Sequence, residues 1–450
     1  MRIHFIAIGG SAMHNLAIAL HKKGYQISGS DDVIFEPAKS RLDKYGLLPA
    51  EMGWEESRIS TDLDAVILGM HARIDNPELL KAQELGIKIY SYPEYIYEQS
   101  KNKLRIVIGG SHGKTTITSM ILHVLNYYNR DFDYLVGAQL AGFETMVKVT
   151  EAAPVMIIEG DEYLSSPIDR RPKFHLYKAN VAVISGIAWD HINVFPTYAD
   201  YTLQFEKFID TIEENGTLIY CEADADLTKI VSKSQAKINK IGYAIPSHEI
   251  ENGITYLLPE RTALKVFGDH NLMNLNAAKE VCKTLNINAK DFDAAISSFT
   301  GAAKRLEVIS ADESTNVYKD FAHSPSKLKA TIDAVKAQFT NRRLIACIEL
   351  HTFSSLNKDF LKEYAGAMNQ ADEAIVFIDL KSFEQKRMEP FSEENVQQAF
   401  ANPKLKFFND AVKLKDYLLN LNYKDANLLM MSSGNYAGFD LYELAAALEK

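Results

Sequence analysis

An apolar run, Leu104-Arg105-Ile106-Val107-Ile108, leads straight into Gly109-Gly110-Ser111-His112-Gly113-Lys114-Thr115-Thr116, and from Lys114 onward the sequence has the pattern of a helix. A strand, a glycine loop and a helix in that order aim backbone N–H groups and a helix N-terminus at one point, where they can wrap phosphate oxygens. Glycine permits the close approach, Lys114 brings a point charge for the β- and γ-phosphates, and the Thr115 hydroxyl suits Mg²⁺. The common form of such a loop is one residue longer before its Gly-Lys pair. Here Gly109 and Gly113 enclose three residues, and Ile108 stands where the longer spacing needs glycine. The alternative, a plain glycine turn capped by threonine, is weaker because strand, helix, Gly-Lys and Thr occur together.

The same alternation recurs along the chain. Strands are expected near 3–8, 25–29, 65–69, 155–159, 181–187, 217–221, 315–320, 343–349, 373–379 and 427–432, with helices at 12–22, 77–85, 271–285, 291–299, 325–338 and 358–370. The stretch 223–268 is hard to read. At 450 residues the chain is too long for one ordinary core. The pattern predicts three α/β domains in series, 1–102, 103–305 and 306–450, the first and third Rossmann-like and the central one carrying the phosphate loop. A net charge of −10 argues against general affinity for nucleic acid or an anionic membrane. Cys221, Cys282 and Cys347 are far apart and form no CxxC spacing, so neither a disulfide framework nor a zinc site is expected. With no charge-free stretch of membrane length, a soluble, untargeted cytoplasmic protein is expected.

Near the N-terminus, Ala7-Ile8-Gly9-Gly10-Ser11-Ala12-Met13 is similar to a dinucleotide fingerprint whose first and last glycines have become alanines. Ser30 and Asp31 close the second strand, and His71, Arg73 and Asn76 occupy a third loop of that domain. Each has a blander reading as turn, cap or solvated loop.

Taken in order, these motifs and later ones resemble the Mur ligase family across nearly the whole chain. GGSHGKTT is similar to the family's shortened phosphate loop, so the resemblance implies ATP on Gly110, Ser111, His112, Gly113, Lys114, Thr115 and Thr116. It further implies Mg²⁺ on Thr115 and Glu159, and a second metal position served by His191 in WDH. Gly268, His270, Asn271 and Asn274 reproduce the GxHNxxN signature whose asparagines reach adenine; Arg305 corresponds to a phosphate contact and Asp320 to a ribose contact. Lys114, Glu159, His191 and Arg305 are the catalytic residues so implied. The first domain would hold the uridine diphosphate of a UDP-sugar, through Gly9, Gly10, Ser11, Ser30, Asp31 and His71. Singly, Glu159 reads as a solvated carboxylate or cap, His191 as a structural histidine, and Arg305 as a surface ion pair.

Such enzymes convert a carboxylate into an acyl phosphate with ATP and let an amine displace the phosphate. Two anions must then meet, which calls for cations and Mg²⁺ between them. Within the family, Glu159-Gly160-Asp161-Glu162-Tyr163 and Asp169-Arg170-Arg171-Pro172-Lys173-Phe174 look like the members that join UDP-N-acetylmuramate to L-alanyl-γ-D-glutamyl-meso-diaminopimelate in peptidoglycan recycling. On that reading Arg170, Arg171 and Lys173 meet peptide carboxylates, and His351 helps to shape the amine pocket. The alternative within the family is ligation of L-alanine in de novo synthesis. A folylpolyglutamate synthase fits less well, because the N-terminal domain resembles the muramate-binding type. A nicotinamide-dependent dehydrogenase would leave the phosphate loop unexplained, and a nucleotide switch would give Asn271, Arg305 and Asp320 no task.

Overall fold

The computed structural model describes residues 1–140, 142–189, 194–302 and 305–448. It divides into two compact units, Met1–Ala244 with Ala277–Phe292, and Ile245–Asn276 with Asp293–Lys450.

The first unit holds two sheets. In the smaller, β1 (Arg2–Ile6), β2 (Gln26–Ser30), β3 (Ala65–Leu68) and β4 (Ile89–Ser91) run parallel in the order β2-β1-β3-β4. Because β2 and β3 flank β1, the chain reverses its winding there, and the carboxyl end of β1, beside Gly9 and Gly10, is the switch point at which open parallel sheets bind ligands. The larger sheet contains β5 (Leu104–Gly109), β6 (Asp133–Leu135), β7 (Val147–Lys148), β8 (Val155–Glu159), β9 (Val181–Ile184), β10 (Thr217–Cys221) and β11 (Asn239–Tyr243). Its order is β11-β10-β9-β5-β8-β6-β7, and only β7 is antiparallel to its neighbour. Central β5 is covered on both faces, so Ile106, Val107 and Ile108 are fully buried. Arg105 is the exception within that apolar run. Its buried guanidinium donates to the carbonyls of Ser100, Lys101, Lys103, Tyr177 and Lys178 and meets Glu213 at 3.0 Å, which closes the start of the strand.

In the second unit a small antiparallel sheet of β12 (His248–Glu251), β13 (Ile254–Leu257) and β14 (Thr262–Leu264) precedes a six-stranded one. The latter comprises β15 (Glu307–Ala311), β16 (Thr315–Asp320), β17 (Arg343–Glu349), β18 (Glu373–Phe377), β19 (Lys406–Phe408) and β20 (Ala426–Met431), ordered β15-β16-β20-β17-β18-β19 and parallel apart from β15. Segment 245–276 joins this unit because Thr255 donates to Gln338 at 2.9 Å and Phe267 packs edge-on against Tyr318 and Phe339. The helix expected over 358–370 is shorter: Lys358–Leu361 passes into a 3-10 turn, Lys362–Tyr364, and Gly366 then adopts φ +72°, a left-handed conformation that ends the winding.

Candidate active site

The phosphate loop sits where β5 meets the helix Lys114–Tyr127. Gly113 caps that helix at φ +77°, and Gly110 lies at φ +121° against Ser185, where any side chain would collide with the Ser185 hydroxyl and amide. Ser185 in turn donates to the carbonyls of Gly109 and His112, and Ser111 N–H reaches the Gly186 carbonyl at 2.9 Å. The Ser111 hydroxyl is buried inside the loop with no hydrogen-bond partner among the described residues. Parallel pairing of β5 with β8 sets Glu159 beside Ile108, so its carboxylate arrives at the loop. One Glu159 oxygen accepts from Thr115 Oγ1 and the other from Gly137 N–H, both at 2.7 Å. Lys114 Nζ donates to the Gly110 carbonyl at 2.5 Å and to Glu162 Oε2 at 2.9 Å, while Tyr201 OH donates to Glu162 Oε1 at 3.3 Å.

These groups hold one another's charge. Burial alone would push the Lys114 ammonium down, but Glu162, Asp161 and Glu159 outweigh it and hold the group above its ordinary value. Burial pushes the Glu159 carboxyl up against the opposing pull of the Gly137 N–H, the Thr115 hydroxyl and Lys114. A hydroxyl and a carboxylate side by side are hard oxygen donors of the kind Mg²⁺ takes, with substrate phosphates completing its sphere. Among the described residues no group of three or more His, Cys, Asp and Glu side chains could hold a metal ion.

At the first glycine turn, Gly9 N–H donates to Asp31 Oδ2 at 2.7 Å. Burial pushes the Asp31 carboxyl up to about 6, despite the hydrogen bond from Gly9. Ser11 and His71 are exposed. Asn76 instead caps the helix Pro77–Glu84, accepting from the N–H groups of Glu78 and Leu79, and Arg73 pairs with Asp75 at 2.8 Å.

In the second unit, Asp320 ends β16 buried, accepting from Leu306 N–H at 2.5 Å and Ala322 N–H at 2.7 Å. Burial pushes its carboxyl up, opposed by His270, Leu306 N–H and Arg305. The Arg305 guanidinium lies over the Phe321 ring at 4.6 Å. Asn271 and Asn274 are buried on the first turns of the helix Asp269–Thr284, Asn271 donating to the Phe267 carbonyl at 2.9 Å. His351, half-buried beyond β17, faces Ser433 at 3.3 Å.

A UDP-N-acetylmuramate–L-alanine ligase of Clostridium botulinum is 31% identical to this chain over 451 residues, covering 95% of this chain and 94% of the relative. Another protein of that name, from Desulforamulus reducens, is 30% identical over 394 residues, 84% and 82% of the two chains. Family models match in series: the Mur ligase family catalytic domain over residues 2–103, the Mur ligase middle domain over 108–282, and the Mur ligase glutamate ligase domain over 304–434. The chain belongs to the Mur ligase family. It is therefore an ATP-dependent, ADP-forming ligase, with the α/β architecture of three Mur ligase domains. Solved structures agree on that fold. A murein peptide ligase of Psychrobacter arcticus matches with a TM-score of 0.64 at 22% identity, and the UDP-N-acetylmuramate–alanine ligase of Thermotoga maritima with 0.67 at 19%, each over 100% of this chain and 98% of its own.

The basic cluster of this Mur ligase is divided. Lys173 Nζ meets Asp161 at 2.5 Å and lies near the rings of Tyr92 and Tyr163, so it fastens the 159–174 segment from within. Arg170 and Arg171 are both exposed, and Arg171 pairs with Asp169 at 2.6 Å. His191 lies outside the described residues. Glu162, Tyr201 and Ser185 support the Mur ligase loop; the sequence marks Glu162 only as part of the run that points to the subtype, not as the partner of Lys114, and offers no motif for Tyr201 or Ser185. The signal for Glu162 is its place three residues after Glu159; Tyr201 and Ser185 carry none.

Proposed function

We propose that this Mur ligase joins the carboxylate of UDP-N-acetylmuramate to the amine of L-alanyl-γ-D-glutamyl-meso-diaminopimelate through an acyl phosphate, as a cytoplasmic step of peptidoglycan recycling. The observation that carries the reaction class is the meeting of Lys114, Thr115, Glu159 and Glu162 at one glycine loop on a helix N-terminus. A carboxylate is a poor acylating agent because oxide is a poor leaving group, and phosphorylation replaces it with phosphate. Loop N–H groups and the Lys114 ammonium draw charge from the γ-phosphate so that an anionic acceptor can approach it. Bound on Thr115 and Glu159, with His191 serving a second position, Mg²⁺ would neutralise the remaining repulsion. Asn271, Asn274, Arg305 and Asp320 are assigned to the nucleotide on the family pattern, and Gly9, Gly10, Ser11, Asp31 and His71 to the UDP-sugar.

The choice of amine rests on the 159–174 run, which resembles the tripeptide-joining members, with exposed Arg170 and Arg171 offered to the peptide carboxylates and His351 assigned to the amine pocket. A second reading, ligation of L-alanine, is favoured by the names of the Clostridium botulinum and Desulforamulus reducens relatives. Phosphate release followed with UDP-N-acetylmuramate, ATP and each of L-alanine, the dipeptide and the tripeptide decides between them. Tripeptide turnover well above L-alanine turnover is expected; the reverse order transfers the assignment to L-alanine.

A further inference from the structure

The sequence sets Ser30 at the edge of the UDP-sugar site, but the fold turns its hydroxyl inward, where it is fully buried. It donates to Glu78 Oε2, and His4 Nε2 lies 3.2 Å from the same oxygen and 3.3 Å from Ser30 Oγ. The second nitrogen of His4 meets Ser28 Oγ at 2.9 Å. On its other side Glu78 accepts from Glu55 N–H at 3.0 Å and stands 3.6 Å from Arg58. His4 and Glu78 are 1% and 0% exposed. Burial would push the Glu78 carboxyl up, but His4, Ser30 and Glu55 N–H outweigh it and hold the group below its ordinary value.

A buried carboxylate is unfavourable unless it is paired and hydrogen-bonded, and an apolar side chain would fill this space at no such penalty. What the arrangement does is visible one bond further on. The Ser30 carbonyl accepts from both Ala7 N–H at 2.9 Å and Ile8 N–H at 3.0 Å, the two residues that lead into Gly9. Ala7 is held at φ +67°, a left-handed conformation that a non-glycine residue adopts only when its surroundings impose it. Asp31, the next residue, takes the Gly9 N–H itself. Glu78 thus grips by its side chain the residue that shapes the glycine turn by its backbone.

We propose that Glu78, acting through Ser30 with His4 as the second anchor, is a positioning residue for the nucleotide-sugar turn, and that Ser30 serves that site by its carbonyl rather than by contact of its hydroxyl with ligand. The inference rests on the reading of the Gly9–Gly10 turn as the UDP-sugar site. It extends that site beyond the residues that touch the ligand, to a carboxylate on a different helix.

The test uses Glu78→Gln and Ser30→Ala in the full-length protein. Calorimetric affinity for UDP-N-acetylmuramate without ATP, the KM values for UDP-N-acetylmuramate and for ATP, and the melting temperature are measured together. Both variants are expected to weaken UDP-N-acetylmuramate binding by about tenfold, with the KM for ATP within about twofold of wild type. A purely structural role would lower the melting temperature while leaving the affinity unchanged, or raise both KM values in parallel, and either result overturns the proposal. If Glu78→Gln does not fold, Ser30→Ala carries the same comparison. Wild-type protein that fails to bind UDP-N-acetylmuramate would overturn the substrate reading, and the positioning role with it. Wild-type binding with unaltered variants overturns the positioning role alone.

Discussion

Glu162 meets the Lys114 ammonium at 2.9 Å on one oxygen and the Tyr201 hydroxyl at 3.3 Å on the other, so the phosphate loop carries its own carboxylate counter-ion. The pairing makes the lysine important to stability as well as to chemistry. Lys114→Ala is expected to lower kcat/KM by about a thousandfold or more. It should also cost about 3 kcal/mol of stability by removing the cation beside a buried carboxylate. Adding Glu162→Gln to Lys114→Ala should restore most of the stability and none of the turnover, read by urea unfolding and by ADP release.

Gly110 tests the shape of the loop rather than its charge. At φ +121° and with Ser185 in the way of any side chain, Gly110→Ala should lose about 2 kcal/mol or more of stability and most ATP affinity. Gly24→Ala is the control, since Gly24 has a comparable φ of +91° but open space around it. Its loss should stay near about 1 kcal/mol, with ATP binding intact. Thermal unfolding and nucleotide titration of the two variants make the comparison.

The basic residues of the 170–173 segment should separate by function. Lys173, tied to Asp161, should give a lower melting temperature when changed to Met, with amine KM altered only in step with folding. Exposed Arg170, changed to Ala, should leave the melting temperature within about a degree and raise the tripeptide KM by about fivefold. An unchanged tripeptide KM for Arg170→Ala would remove it from peptide recognition.

Asp31 should impose a pH dependence on stability. Burial raises its carboxyl to about 6 in the fold, whereas in the unfolded chain it titrates near its ordinary 3.8. Between those values the folded state binds the extra proton, so unfolding free energy falls as pH rises. The contribution is complete below about pH 4 and lost as pH passes about 6. Asp31→Asn should abolish that slope, and urea midpoints taken across the window for both proteins check it.

Much of the Mur ligase plan was legible as local pattern. Strand-loop-helix units such as β5 with Lys114–Tyr127 announce themselves because apolar periodicity and glycine chemistry act over neighbouring residues. Short elements did not: between 223 and 268 a helix, β11 and three strands of three or four residues follow one another, too brief for periodicity to accumulate. Lys173 illustrates a different limit. In sequence it is one of three basic residues in a run that resembles the tripeptide-joining members, and only its approach to Asp161, twelve residues away, shows that it is already engaged.

From the sequence alone came the alternation of strands and helices, the phosphate loop with its lysine and threonine, and the resemblance that fixed the reaction class, all properties of neighbouring residues and of motif order. Tertiary structure decided which carboxylate answers Lys114, that the Ser30 hydroxyl is taken by Glu78 and His4, and that Arg170 rather than Lys173 is exposed. The first two are pairings between residues 48 positions apart, brought together by the order of strands and helices and not by local sequence. Burial then determines which charges must be satisfied inside the fold, and that selection depends on three-dimensional packing that no local pattern encodes.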